Sequence, residues 1–451
     1  ACESIYGEEG FDPRTHQAAG RALALCASNM NGPVDGAHFE GMGKSNIGIS
    51  QMSVLARTQP ADEKIVASGA LYNHVTKFLL HTGLPWDHAR YMTDEKLGGI
   101  KAVSGAAVNV LHYAYPDDPV INYLKRLQTE EPEKRANWNM RAFGQESWLY
   151  TAPYLDDWKG PQDLAEHLRQ ATQNEPLGYI SHFRGQMISR NAWDADAVQL
   201  MFMPRVIRGG HWQPCRGYFR VNAFGREWFT FRSFASHEKA GWIPARNSIV
   251  TVDGDGQDVT TARMLHYEGA AENSDAVFDI CTADLTGSYR HSDDAWATMN
   301  ATRFKPDERA WFDAPKGLLP ASLNAFQPAR SGPMTVEGID LETVPQGQRP
   351  FEYAYRTAVF ARGEHPYILI IDDFKKDDQI REYTWNAALA KDLMTPEPHQ
   401  IEGSRALLTD PGHDERQLLV QMLSHEGEGA FSLKPVYSRH DKKNTEMVSL
   451  C

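Results

Sequence analysis

The spacing of apolar residues changes near residue 178, and that change constrains the fold more than any other feature of the chain. Before it, apolar side chains recur every three to four positions over residues 18–27, 49–57, 63–81, 99–113 and 161–172, the period of a helix with one buried face. Gly32-Pro33, Gly83-Leu84-Pro85, Pro116 and Pro132 interrupt these runs as helix breakers. Beyond residue 178 the period falls to two, and aromatic and β-branched residues alternate with Gly, Asn and Asp turns. Residues 353–360 and 367–374 with the turn Arg362-Gly363-Glu364-His365-Pro366 are a clear strand pair. The pattern predicts antiparallel helices over residues 12–175 and packed antiparallel sheets from 178 onward. The expected class is α+β and multidomain. A helical domain would span 1–177 and a β-sandwich 178–451, with a small separate β end from about 386.

At 451 residues, with 41% hydrophobic and 10% aromatic content, the chain is long enough for two or three ordered domains. No apolar run reaches the length of a membrane span, and no secretory leader opens the chain. It starts at Ala1-Cys2 without Met, which reads as a processed or truncated form. With a leader already removed, a periplasmic or extracellular location is expected. A net charge of −13 argues against nucleic acid as partner. The charge is uneven, however. Arg184, Arg190, Arg205, Arg208, Arg216, Arg220, Arg226, Arg232 and Arg246 face only Asp194, Asp196, Glu227 and Glu238 in that stretch. Such a cluster either binds carboxylates or sulfates or forms solvated strand faces. The five cysteines, 2, 26, 215, 281 and 451, show no metal-ligand spacing and read as buried thiols, with a Cys2–Cys26 bridge as a weak alternative.

The most specific residues lie between 186 and 257. The chain reads Gln186-Met187-Ile188-Ser189-Arg190-Asn191-Ala192-Trp193-Asp194-Ala195-Asp196-Ala197, then Arg208-Gly209-Gly210-His211-Trp212-Gln213, then Arg246-Asn247-Ser248-Ile249-Val250-Thr251-Val252-Asp253-Gly254-Asp255-Gly256-Gln257. Val198, Leu200 and Phe202 alternate as in a half-buried strand, Gly209-Gly210 turns the chain toward His211, and Asp253-Gly254 ends a strand as a hairpin would. These stretches resemble the heparinase II/III-like polysaccharide lyases, whose β-domain carries R-x-x-W-D-x-D-A, a Gly-rich loop with a functional His, and H-N-S/T-h-x-V-D-G-x-G-Q. Two further matches support the resemblance: Tyr355-Arg356-Thr357-Ala358-Val359-Phe360 with Ile368-Leu369-Ile370-Ile371-Asp372-Asp373-Phe374, and Asp35-Gly36-Ala37-His38-Phe39-Glu40-Gly41 for D-G-x-x-x-E-G. The resemblance implies an α/α toroid followed by an antiparallel β-sandwich. Because the Asp35 loop comes so early, the toroid is expected to be shortened, or the chain to be the C-terminal part of a larger enzyme.

What the resemblance implies chemically is β-elimination on a uronic-acid glycan. Such a lyase removes the C5 proton of a uronate and expels the 4-linked oxygen, so it needs a neutralised carboxylate, a base and an acid. His211 falls on the family's functional loop His, and Trp212 beside it is placed to stack on a sugar. The family's second loop His is Gln213, and the His before Asn-Ser is Arg246. Both positions belong to the metal site of zinc-bearing relatives, so no zinc and no other cofactor is expected. Arg246 would hold the substrate carboxylate or replace the metal's charge. Glu40 opens E-G-x-x-Y-x-N-Y-G, where Asn46 matches but Lys44 and Ile47 replace the tyrosines. Asn46 either neutralises the carboxylate or caps the helix that follows. With those tyrosines missing, Tyr72, His74, Tyr218 and Lys44 are the remaining candidates near the site, and Tyr72 and His74 point to different faces of one helix. The expected partner is an acidic glycan, with no membrane span and a homodimer left open. A C5-epimerase, an oligosaccharide dehydratase and a non-catalytic glycan-binding relative remain as alternatives, and a two-carboxylate hydrolase is not removed by spacing alone.

Overall fold

The computed structural model describes residues 14, 35–37, 70–91, 100–101, 108, 111–112, 114–130, 163–182, 184–204, 215–230, 247–254, 256–257, 262–289, 351–395, 397–423, 429–437 and 445–450. Among them antiparallel sheets dominate and helices are few. A five-stranded antiparallel sheet organises the rest. Its strands are β4 (Gly178–Ser181), β5 (Gln186–Arg190), β6 (Gln199–Met203), β7 (Tyr218–Ala223) and β8 (Arg226–Phe229), side by side in sequence order. Both faces are covered. Tyr179, Ile188, Met201, Met203 and Tyr218 join one core with the helices. Met187, Leu200, Phe202, Phe219 and Val221 join a second core with the later strands. β6 is therefore buried along its whole length rather than on one face, as the alternation had suggested. The run Leu200-Met201-Phe202-Met203 is the signal of a doubly covered strand, since a side chain of that kind gains about 1.5–3 kcal/mol by leaving water on either face.

On the helical side, helix α1 runs through Ala70–Asn73, a π-helical stretch His74–Leu79 and Leu80–Thr82, and stops at the predicted Gly83 breaker. Two further helices are α2 (Pro119–Glu130) and α3 (Leu164–Thr172). The prediction of helices throughout this half needs correcting in one place. A small antiparallel sheet of β1 (Gly83–Leu84), β2 (Asp87–Tyr91) and β3 (Ile100–Lys101) lies here, so the stretch read as a helix from residue 99 opens as a strand. The apolar run had not marked α2 as a helix. Its Val120, Ile121, Tyr123, Leu124 and Leu127 are buried, and Asp118 caps it by accepting from Val120 N (2.9 Å) and Ile121 N (3.0 Å) ahead of Pro119 at the first turn. The stretches 18–27 and 49–57 lie outside the described residues.

On the other side, β10 (Arg263–Glu268), β11 (Phe278–Asp284), β12 (Tyr353–Ala361) and β13 (Tyr367–Lys375) form a four-stranded antiparallel sheet. The predicted β12–β13 pair holds in continuous register from Tyr353–Lys375 to Ala361–Tyr367. Strand β9 (Val250–Val252) stops at Asp253 and Gly254, both at positive φ (53° and 82°). Its partner is not the next strand but the distant β14 (Tyr383–Trp385). Shorter antiparallel strands at 387–388, 400–421, 433–437 and 445–450 complete this side. All described strand pairings are antiparallel.

The described members of the arginine cluster are not solvated strand faces. Arg184, Arg190, Arg216, Arg220 and Arg226 are all buried. Arg190 Nη2 donates to the carbonyls of His81 (2.8 Å) and Gly83 (3.2 Å) at the end of α1, and its guanidinium lies 4.0 Å over the Trp193 ring. Arg220 pairs with Glu227, and Arg226 with Asp410 and Asp392. Arg205, Arg208, Arg232 and Arg246 lie outside the described residues. Cys215 and Cys281 are buried, one in each core.

Candidate functional site

One end of the central sheet gathers the flanks of three separate sequence motifs. β4 pairs Ser181 with Gln186, β5 pairs Met187 with Phe202, and β6 pairs Met203 with Tyr218, so these residues share that end. Strands lie about 4.8 Å apart, which sets Ser181 and Met203, two strands apart, at roughly 10 Å.

The first motif arrives at Ser181. Its hydroxyl donates to Asp35 Oδ2 (2.8 Å), and Tyr179 Oη donates to the Asp35 carbonyl (2.9 Å). Gly36, at φ +87°, packs on the backbone of α1, where a Cβ would come within 2.5 Å of Asn73 C and His74 N. Only glycine fits both that conformation and that approach. His74 completes the clamp, with Nδ1 2.7 Å from the Gly36 carbonyl. Burial lowers the His74 pKa to about 4, with the nearby Arg184 adding to the effect and the Gly36 bond opposing it. The ring is thus neutral near pH 7 and donates from Nδ1, because a carbonyl only accepts.

The second motif leaves the sheet at Met203 and returns at Gly217, whose N–H donates to Met203 O (2.8 Å). Residues 205–214 between them carry His211. Gln257, the last residue of the third motif, holds the returning chain: its Oε1 accepts from Arg216 N (2.6 Å) and its Nε2 donates to Arg216 O (2.7 Å). The third motif also reaches this end at Asn247 and Ser248, which are fully buried. Arg356 Nη1 donates both to Gly217 O (2.9 Å) and to Ser248 O (2.6 Å).

The candidate residues are therefore distributed as follows. Glu40, Lys44 and Asn46 follow the clamped Asp35-Gly36-Ala37 segment, His211, Trp212 and Gln213 follow Met203, and Arg246 precedes Asn247; all seven lie outside the described residues. Tyr218, His74 and Tyr72 are described. Tyr218 begins β7 at the gathered end and is buried against the helical core. His74 is buried beneath the Asp35-Gly36 loop, a place that suits holding the loop better than exchanging protons with a substrate. Tyr72 points elsewhere. Its Oη donates to Asp118 Oδ2 (2.5 Å) and its ring meets Tyr115 edge-on. Burial, and then the Asp118 carboxylate, push its pKa upward, which disfavours the phenolate a base would need. Tyr72 and His74 do face different ways, as their spacing predicts.

Sequence reasoning missed the residues that hold the site. Ser181 and Tyr179 carried no motif, and their tasks depend on Asp35, 146 and 144 residues away. Gln257 and Arg356 stood inside quoted motifs, and a buried polar residue at a fixed motif position is the signal that would have flagged them. The R-x-x-W-D-x-D-A residues likewise build structure. Asn191 Oδ1 accepts from Val198 N (2.8 Å) and Asp194 Oδ1 from Asp196 N (3.0 Å), which closes the β5–β6 turn.

The fold is that of known glycan-degrading enzymes. The chain superposes on heparan sulfate lyase HepC from Pedobacter heparinus with a TM-score of 0.56 and 13% identity, covering 100% of this chain and 55% of that one. For heparinase III the TM-score is 0.54 and the identity 8%, over 95% of this chain and 54% of the other. The chain thus spans about half the length of the structures it matches, and at these identities the likeness shows the fold alone. No protein-family model matches the sequence, and no curated protein matches it.

Proposed function

We propose that this chain is a polysaccharide lyase, or the part of one, that cleaves a uronic-acid-containing acidic glycan by β-elimination. The observation that carries the proposal is the gathering of the Asp35, Met203–Gly217 and Asn247–Ser248 flanks at one end of the central sheet. The fold shared with heparan sulfate lyases supports it. On this reading His211 moves a proton, Asn46 and Arg246 neutralise the uronate carboxylate, and Trp212, Gln213, Lys44 and Glu40 line the sugar. Tyr218, which begins β7 directly after the chain returns at Gly217, is the base candidate to test first. The helices beside the sheet are read as the end of an α/α toroid, and a polymer-degrading role suits a periplasmic or extracellular protein. The reading uses no metal, because Gln213 and Arg246 replace imidazole at two ligand positions.

A second reading rests on Lys44 and Ile47 standing where the family has tyrosines. With that base replaced, the same C5 proton abstraction would serve an epimerase or an oligosaccharide dehydratase. One experiment separates these outcomes: incubation with heparan sulfate and other acidic glycans, following both ultraviolet absorbance of an unsaturated uronate and chain length. Absorbance with cleavage supports the lyase, absorbance without cleavage a dehydratase, and an altered sugar without absorbance an epimerase. His211→Ala should lower the lyase rate about 100-fold or more, the scale of losing a general acid or base. A rate near that of the unaltered protein would remove the proposal's central residue.

A further inference from the structure

Arg356 sits in the middle of β12 with no exposed surface. Its neighbours on the inner face, Ala354, Ala358 and Phe360, are apolar core residues. An ion pair in such a place commonly adds no more stability than apolar side chains of the same volume. Half of what Arg356 does is indeed a pair within its own sheet: Nε and Nη2 donate to Asp372 Oδ1 and Oδ2 at 2.6 and 2.8 Å. The other half leaves the sheet. Nη1 donates to the carbonyls of Gly217 and Ser248, which are 31 residues apart in sequence.

Two carbonyls on one nitrogen lie within roughly 5 Å of each other, since each bond is near 2.8 Å. The guanidinium is planar, and Asp372 fixes its fork from the other side, so this spacing is set rather than fluctuating. Gly217 has little room to move away. It sits at φ +74°, and a Cβ there would lie 2.7 Å from Leu285 Cδ1 and 3.5 Å from Arg356 Cδ. Gln257 pins the preceding Arg216 backbone on both its N–H and its carbonyl.

We propose that Arg356, oriented by Asp372, is a positioning residue that holds the backbone at Gly217, where the segment bearing His211 in sequence rejoins the sheet, against the backbone at Ser248. Its importance to catalysis rests on the lyase reading above; the positioning itself does not. Arg356→Lys keeps the charge beside Asp372, but a single ammonium cannot hold both carboxylate oxygens and both carbonyls in one plane. Hydrogen–deuterium exchange on the full chain is the direct test. A bond to a charged group is worth roughly tenfold in an equilibrium, so in Arg356→Lys exchange should rise by about that factor over 205–217 and 246–250. Peptides from 353–375 and 400–421 should keep their rates. If the unaltered protein cleaves heparan sulfate, kcat should fall in the variant by more than KM rises.

Equal acceleration across 353–375 would mean that Arg356 only stabilises its own sheet, and no acceleration would mean that it positions nothing; either overturns the proposal. Should the lysine variant fail to fold, exchange of the unaltered protein in rising urea serves instead. Segments 205–217, 246–250 and 353–361 should open in one step, and separate steps would refute the coupling. A protein without lyase activity whose two segments still loosen in Arg356→Lys would remove the function and leave the positioning in place.

Discussion

The two faces of the central sheet bury polar groups in different proportions. On the helical face the buried titratable groups are mostly rings: His74, His81 and His88, packed among Phe78, Tyr179, Trp193 and Tyr123. Arg190, a buried cation on that face, is met by backbone carbonyls, and Arg220, opposite Met201 on the same face, pairs with Glu227. On the β face the buried charges are paired, as Arg356–Asp372, Arg362–Asp279 and Arg226–Asp410. One sheet therefore joins a core rich in neutral imidazoles to a core that holds several matched charges. The first fails when a proton is added, and the second when a partner is taken away.

The largest expected effect follows from taking a partner away. Asp279 has no exposed surface. It accepts from Tyr267 Oη (2.9 Å) and Ala270 N (2.6 Å) and pairs with Arg362. Asp279→Ala leaves the Arg362 guanidinium with only the Arg190 and Ala276 carbonyls and two donors without their acceptor, so urea denaturation should show a loss of about 3–5 kcal/mol. A loss below about 1 kcal/mol, the scale of an exposed pair, would mean that the β face does not depend on its charges.

Adding protons is the next largest. Burial lowers the pKa of His74 to about 4 and of His88 to about 3, with Arg190 adding to the shift at His88; His81 lies well below the ordinary value for the same first reason. A histidine whose folded pKa is depressed binds its proton more readily when unfolded. Its contribution is intact above about pH 6.5 and is lost as pH falls toward the folded value, about 3 kcal/mol for His74 by pH 4. The chain carries a reporter in each core, Cys215 on the helical face and Cys281 on the β face, both buried. Dithiodipyridine, which reacts in acid, read out by mass spectrometry at each cysteine, should label Cys215 ahead of Cys281 as pH drops from 6.5 to 4. Simultaneous labelling would show that the two cores open as one and that the histidines are not what separates them.

Much of this contrast was invisible in the sequence, for a physical reason. Apolar period reports which face of an element meets a core, and it located α1, its stop at Gly83 and the β12–β13 pair. It does not report what covers the second face, so β6 read as half-buried although helices lie on one side of it and sheets on the other. Charged residues were harder. Arg190, Arg220, Arg226 and Arg356 look like surface until their partners are known, and those partners include carbonyls up to 139 residues away. The candidate site divides the same way. Three motifs were legible as strings, whereas their convergence on one sheet end depends on register and on the distant partners of Ser181, Gln257 and Arg356.

The smallest expected effect sharpens the comparison from the helical side. Besides Arg220–Glu227, that side has an ion pair at its periphery: Lys77 Nζ lies 2.5 Å from Glu175 Oε1 and 2.8 Å from Oε2, joining α1 to the chain just beyond α3. The Lys77 side chain is 39% exposed and that of Glu175 11%. Water and salt reach such a pair, and ordering a lysine offsets much of its attraction, so Lys77→Ala should cost less than about 1 kcal/mol. Its effect should shrink further in 1 M salt, where charges are screened over about 3 Å. Denaturation of Lys77→Ala at low and high salt, beside Asp279→Ala under the same conditions, gives the test. If the two faces differ as described, only the surface pair responds to salt, because the Asp279 pair is sealed from it. A loss for Lys77→Ala as large as that for Asp279→Ala, and equally indifferent to salt, would show that a half-exposed pair acts as a sealed one does and dissolve the distinction.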